Sequence, residues 1–81
     1  MVPKIEGIIP DGSKKQLVIK YSTGEIKLFD VSPYIRGDWF SQLADDAYFN
    51  KVSVYEDSYN IQWPNGQDVA PNELYEYSVA I

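Results

Sequence analysis

The residues that could carry chemistry in this chain are carboxylates, lysines, tyrosines and serines, because its 81 residues include no His and no Cys. This composition excludes Ser-His-Asp and Cys-His nucleophilic sets, His/Cys zinc sites and a histidine pH switch. The sequence also has no glycine-rich phosphate-binding loop and no P-loop lysine motif. We therefore predict that the protein is not an enzyme and uses no cofactor or metal.

Paired carboxylates are the catalytic arrangement that remains, and the acidic pairs do not favour it. Asp45 and Asp46 are adjacent, so their side chains would diverge by ~100° on a helix. Glu56 and Asp57 lie at a predicted hairpin tip, where contact with solvent gives no reason for a perturbed pKa. A carboxylate-based enzyme is therefore our third hypothesis, behind a protein-binding module and a ligand sensor.

The ligand-sensor hypothesis rests on three residues that could meet in a small site. Trp63 would supply an apolar wall, and Asp68 and Arg36 would supply one charge of each sign. Binding of a ligand there would change the Trp fluorescence. This sensor domain is the alternative to the function that we predict first.

Surface-capable aromatic residues favour that first function, the binding of another protein. Tyr55, Tyr59 and Tyr75 lie in residues 52–81, which contain five acids and no Lys or Arg and so hold the whole net charge of −5. Tyr is enriched in interface hot spots, whereas an acidic surface repels phosphates. We predict a non-enzymatic interaction or regulatory module that binds a protein and does not bind nucleic acid directly. A double Tyr55→Ala, Tyr59→Ala variant should stay folded and lose its partner.

Two further expectations concern assembly and location. Exposed strand edges offer a route to a homodimer. The sequence has no apolar run near the ~20 residues that span a bilayer, and its first six residues lack the apolar core of a signal peptide. We expect one cytoplasmic domain over residues 1–81, with no membrane contact.

Asp68 also has a structural interpretation, because it lies between a turn and a helix start. Asn65 and Gly66 predict the turn, and Pro71 suits the first position of a helix whose N-cap would be Ala70. An alanine side chain cannot cap. We therefore expect Asp68 to accept backbone N–H bonds there, so that Asp68→Ala lowers the melting temperature by several degrees.

Two hairpins and an N-terminal strand at residues 2–9 must position these residues. In the first hairpin, with Thr23 and Gly24 at the tip, Tyr21 would face Ile26 and Ile19 would face Leu28. A shift by one residue would oppose Ile19 to Lys27, which argues against it. Lys20 would then face Lys27 on the other side of the hairpin.

In the second hairpin, Val54 would meet Ile61.

Residues 32–51 have a broken helical pattern, with Asp38 as a helix N-cap and Trp39, Phe40 and Leu43 facing inward.

The last element predicted is a helix from Pro71 to about Val79, with Leu74, Tyr77 and Ile81 on one buried stripe. The element order predicts an α+β fold. Its sheet would be mainly antiparallel with about five strands, namely two hairpins and the N-terminal strand, beside short helices and the C-terminal helix.

One segment of the chain is especially distinctive, namely Trp63-Pro64-Asn65-Gly66-Gln67-Asp68-Val69-Ala70-Pro71, followed by Leu74 and Tyr75. With the hairpin at residues 21–25, the strand end Phe29-Asp30 and the stretch from Leu43 to Phe49, it resembles the bacterial domain-of-unknown-function 2442 family. The resemblance implies a compact α+β domain. Some relatives carry a helix-turn-helix domain after this module, which implies a regulatory role, and the family offers no catalytic residues to transfer.

Overall fold

Two antiparallel β-sheets form the frame of the protein in a computed structural model that describes residues 2–81. In chain order the strands are β1 (Ile5–Asp11), β2 (Gln16–Tyr21), β3 (Ile26–Asp30), β4 (Ser53–Val54), β5 (Ile61–Gln62) and β6 (Val79–Ala80). The first sheet has the order β1-β2-β3-β6, and the second pairs β4 with β5. The predicted α+β class is confirmed, with six strands in the described residues instead of about five.

The helices are short, as the broken pattern of the sequence predicts. They are α1 (Gly37–Phe40), α2 (Asp46–Phe49) and α3 (Pro71–Glu76), with 3-10 turns at Ser32–Tyr34 and Ser41–Ala44. The N-cap of α1 is Arg36 and makes no side-chain capping bond, so the prediction that Asp38 caps this helix is wrong. Within residues 2–81 no helix has the length and apolar character needed to cross a membrane.

The predicted register of the first hairpin is wrong by one residue. Ile19 pairs with Lys27, and Lys20 pairs with Ile26. The loop has three residues, because the Tyr21 amide donates to the Glu25 carbonyl (2.9 Å) and the Gly24 amide donates to the Tyr21 carbonyl (2.9 Å). Gly24 has φ +92°, which suits the bulge that ends such a loop. This one-residue shift in register exchanges the two faces of β3. Ile26 and Leu28 therefore lie on the face that points away from the core.

Lys27 can lie on the core face because the last turn of α3 offers its ammonium group a hydrogen-bond acceptor and an aromatic ring. Its Nζ donates to the Tyr75 carbonyl (2.6 Å) and lies 4.0 Å from the centroid of the Tyr75 ring. Carbonyl and cation–π contacts both stabilise an ammonium group that has lost water. The buried lysine, which the sequence argues against, is thus held in the structure by the end of a helix.

The second hairpin has the predicted register. Val54 pairs with Ile61, and Ser53 pairs with Gln62. The amide of Ile5 in β1 donates to the carbonyl of Ser58 in the β4–β5 turn (2.6 Å). This hydrogen bond ties the small sheet to the edge of the large one.

The C-terminal helix is shorter than predicted. It ends at Glu76, and Val79 and Ala80 form β6 beside β3. Tyr77 and Ile81 are exposed, so the predicted buried stripe is wrong except for Leu74. The physical reason is that the β3 edge offers hydrogen-bonding partners to an extended chain, and a sheet edge outweighs a weak helical pattern.

The core lies between the inner face of the first sheet, α3 and the second sheet. Its fully buried side chains include Trp63, Tyr21, Phe29, Phe49, Leu17, Ile19, Leu43, Ile61 and Leu74. Leu43 is inward as predicted and Phe40 packs partly against the core, whereas Trp39 is half exposed and its predicted inward position is wrong.

Candidate functional site

The face of the first sheet that points away from the core is apolar and uncovered. We call it the outer face; its apolar residues are Ile9, Val18, Ile26, Leu28, Val79 and Ile81. Strand pairing aligns Ile9, Val18, Leu28 and Val79 in one row across four strands. The amide of Ile81 donates to the Ile26 carbonyl (3.0 Å), which places these two residues in the next row.

A groove crosses this outer face on the side of β1. It has a volume of about 260 Å³ and is lined by Gly7, Ile8, Ile9, Val18, Lys20 and Ile26. A Cβ atom added to Gly7 would meet no atom within 4 Å, so the space above this glycine is open. Lys20 lies 3.8 Å from Glu6, and both side chains are largely exposed, so this ion pair contributes little to stability.

Trp63, which we expected at a surface site, is a core residue, and that expectation is wrong. Its side chain is 1% exposed, and its Nε1–H donates to the Phe49 carbonyl (2.8 Å). Asp68 and Arg36 are exposed, and no ion pair joins them among residues 2–81. The three residues therefore do not share an apolar wall with one charge of each sign.

Asp68 does not have the structural role predicted for it. Ala70 is the N-cap of α3 and Pro71 begins the helix, as predicted, but no side chain caps it. The Asp68 backbone instead forms an isolated bridge with Gln62. Gly66 has φ +101°, and its amide donates to the Trp63 carbonyl (2.8 Å), which confirms the turn.

Gln67 is the polar residue that holds this turn, and no sequence pattern predicts this role. Its side chain is fully buried. Its Oε1 accepts from the Tyr48 hydroxyl (2.8 Å), and its Nε2 donates to the Trp39 carbonyl (2.9 Å). The Tyr48 hydroxyl also accepts from the Asn65 amide (2.9 Å), so one amide joins the turn to α1 and α2.

The three tyrosines predicted to form an interaction surface are not equivalent. Tyr55 is exposed at the β4–β5 hairpin. Tyr59 is partly buried there, with the Nζ of Lys4 5.9 Å from its ring centroid. Tyr75 is partly buried and packs edge-on against Tyr21 with centroids 5.0 Å apart, so its ring contacts the core, and Tyr55 is the one of the three tyrosines that is exposed.

Tyr21 is buried, and its hydroxyl makes no hydrogen bond within residues 2–81. Loss of hydration, with smaller contributions from Tyr75 and Glu25, raises the pKa of Tyr21 to about 12. The hydrogen bond donated to Glu25 (2.7 Å) is the main cause that raises the pKa of Tyr75.

We expect these shifts to make the fold sensitive to alkali. A tyrosine whose pKa is higher in the folded state binds its proton more tightly there, so its stabilising effect is complete below the unfolded pKa of about 10 and is lost as pH rises towards 12. Urea unfolding between pH 8 and about 11.5 measures this. Tyr21→Phe should match the wild type at neutral pH and decline less steeply in alkali; a variant with the same decline would contradict the assignment.

No group of three or more acidic side chains that could hold a metal ion is found in residues 2–81. No curated protein and no solved structure shows significant similarity to the chain. One family matches, described as "Protein of unknown function (DUF2442)", over residues 6–80. Because the match covers nearly the whole sequence, the chain belongs to the DUF2442 family.

Proposed function

We propose that this protein works by binding another polypeptide through the outer face and has no catalytic role. The observation that carries the proposal is the apolar character of that face. Ile9, Ile26, Val79 and Ile81 are between 43% and 69% exposed. Together they present roughly 400 Å² of apolar surface, as large as the largest patch on a typical monomer, which often has a function.

The pattern along the strands supports this proposal. An antiparallel sheet with one solvated face normally alternates apolar and polar residues, the polar ones outward. Here Val18 and Leu28 lie at outward positions of β2 and β3, where polar residues would be expected. Full burial of an exposed Val, Leu or Ile side chain is favourable by roughly 1.5–3 kcal/mol, and the partly buried Val18 and Leu28 would contribute less than this.

The charges of the protein favour a polypeptide over a nucleic acid as the partner. The chain has a net charge of −5, and the outer face carries one cation, Lys20, whose Nζ lies 3.8 Å from Glu6. Nucleic-acid binding draws on the neutralisation of several phosphates by Lys and Arg. An apolar face with one cation close to a carboxylate, and with Asp11 and Asp30 in its end row, is better suited to a protein surface.

The β4–β5 hairpin, with exposed Tyr55 and partly buried Tyr59, is a second candidate surface for the same function. Tyr55 is exposed beside Glu56 and Asp57, and tyrosine is frequent at interface hot spots. The ligand-sensor alternative has no comparable support, because Trp63 is buried and does not line the groove.

Photo-crosslinking in the native host tests the proposal and separates the two surfaces. A photoreactive residue replaces Ile26 on the outer face, Tyr55 on the hairpin or, as a control, the exposed Pro64. We expect protein adducts heavier than the 9.3 kDa chain from position 26 and none from position 64. Adducts from position 55 alone would move the binding surface to the hairpin. No adduct from either position would contradict the protein-binding function.

A further inference from the structure

We propose that a second copy of this chain covers the outer face, so that two sheets pack face to face around a two-fold axis parallel to the strands. This inference rests on the proposed function and names its partner. It is carried by the shape of the face, by its area and by the distribution of charge.

The outer face is complementary to itself in shape. The groove lies on the β1 side, where Gly7 leaves open space. Two exposed apolar residues, Val79 in β6 and Ile81 directly after it, lie on the opposite side of the same face. A two-fold axis along the strands places β1 of one copy against β6 of the other, because the strand order is β1-β2-β3-β6.

The pairing of the rows then fixes which residues meet. Gly7, Lys20, Ile26 and Ile81 share one row, and Ile9 and Val79 share the next. Rotation about the axis keeps each row at its own level, so Ile81 of one copy enters the groove above Gly7 of the other. An isologous interface repeats every contact, so both grooves are filled.

The area of the face suits a reversible dimer. With Val18, Leu28 and the rim included, two copies would bury on the order of 1,000 Å² in total, the lower limit for a specific interface and less than the ~1,600 Å² of a standard one. Interfaces of this size give weak complexes unless they contain strong hot spots. We therefore expect a micromolar dissociation constant.

Charge predicts an unusual salt dependence for this dimer. Each copy has a net charge of −5, so two copies repel each other, whereas the contact itself is apolar apart from Lys20 and, in the end row, Asp11 and Asp30. Added salt screens the repulsion and leaves the burial of apolar surface intact. The dissociation constant of the dimer should therefore fall as NaCl is raised from about 0.05 to 0.5 M, whereas that of a complex held by ion pairs would rise.

The strand edges are less suited to dimer formation than the face. On one side β6 has only two residues. On the other side β1 contains Pro10 and an irregular register between Ile5 and Gly7, and both features oppose the addition of a further strand. The homodimer that the sequence suggests through strand edges is thus assigned here to the sheet face.

Sedimentation equilibrium of the whole chain, from about 5 to 500 μM, tests the proposal over the expected micromolar range. The mass of the wild type should rise from 9.3 kDa towards twice that value. Gly7→Val, whose Cβ atom meets no other atom within 4 Å in the monomer, should fill the groove and weaken the dimer at least about tenfold. Ile81→Ala should do the same, and Tyr77→Ala, which removes an equally exposed side chain, should not.

Disulfide trapping tests the contact directly, because the natural chain has no Cys. An equimolar mixture of the Gly7→Cys and Ile81→Cys variants should form a mixed disulfide faster than either variant forms its own. A wild type that stays at 9.3 kDa throughout, or equal rates of all three disulfides, would overturn the proposal. If position 26 still cross-links to a different protein in the native host, the protein-binding function stands; without any adduct, both proposals fail.

Discussion

Replacing Gln67 by alanine should lower the free energy of unfolding by about 2–4 kcal/mol, although the residue is polar. The amide side chain is fully buried and bonds two different segments. Its removal takes the acceptor from the Tyr48 O–H and the donor from the Trp39 carbonyl, while the Tyr48 oxygen keeps the bond from the Asn65 amide. A buried donor or acceptor left unpaired costs about 1–3 kcal/mol, and the variant leaves one of each beside a small cavity.

The adjacent Asp68 provides the matched control. Its side chain is exposed, and its bridge to Gln62 uses the backbone, which alanine preserves. Asp68→Ala should change the free energy of unfolding by less than about 0.5 kcal/mol, as is usual for surface positions. This replaces the drop of several degrees that the sequence suggests for Asp68.

Urea unfolding of the two variants, read by Trp fluorescence and by circular dichroism, measures both effects. The two probes should give one midpoint per variant if unfolding is two-state. Equal midpoints for Gln67→Ala and the wild type would show that the amide is dispensable. A larger loss for Asp68→Ala than for Gln67→Ala would return the structural role to the carboxylate.

The sequence predicted the fold class, both hairpins and the register of the second hairpin, but it did not predict the register of the first. Val54 and Ile61 both prefer the core, so their pairing was unambiguous. For the first hairpin, a lysine facing the core looked unfavourable. The contact of Lys27 with the Tyr75 carbonyl joins residues 48 positions apart, and no local pattern predicts it.

The outer face was missed for a related reason. β2 is Gln-Leu-Val-Ile-Lys-Tyr, in which Leu17, Val18 and Ile19 form a continuous apolar run. Such a run is typical of a strand covered on both faces, and this is the signal that could have revealed the outer face. The other half of that face depends on Val79 and Ile81, which a 3.6-residue pattern had assigned to a helix. Only the pairing of β6 with β3 places them beside Ile26 and Leu28.

The second large effect is expected at Gly12, where the turn after β1 touches α2. A Cβ atom at this position would lie 2.6 Å from the Asp46 carbonyl oxygen and 3.1 Å from the Asp46 Cα. Both are backbone atoms, and the same carbonyl accepts from the Asn50 amide (3.1 Å). Gly12→Ala must therefore separate the turn from α2, which should lower the free energy of unfolding by about 2–3 kcal/mol.

Gly7→Ala is the matched control, since it adds the same methyl group to β1 and meets nothing within 4 Å. Alanine restricts the unfolded chain more than glycine does, so Gly7→Ala should leave the free energy of unfolding unchanged or raise it by up to about 1 kcal/mol. Thermal unfolding resolves this difference, because 1 kcal/mol moves the midpoint of a domain of this size by about 4–8 °C. If Gly12→Ala and Gly7→Ala lower the free energy of unfolding equally, the cause is the loss of glycine itself. The close contact of Gly12 with α2 would then not explain the result. If Gly12→Ala alone melts early, the Lys15–Asp46 ion pair beside it (2.6 Å) should weaken too, because the movement that relieves the clash also separates these two side chains.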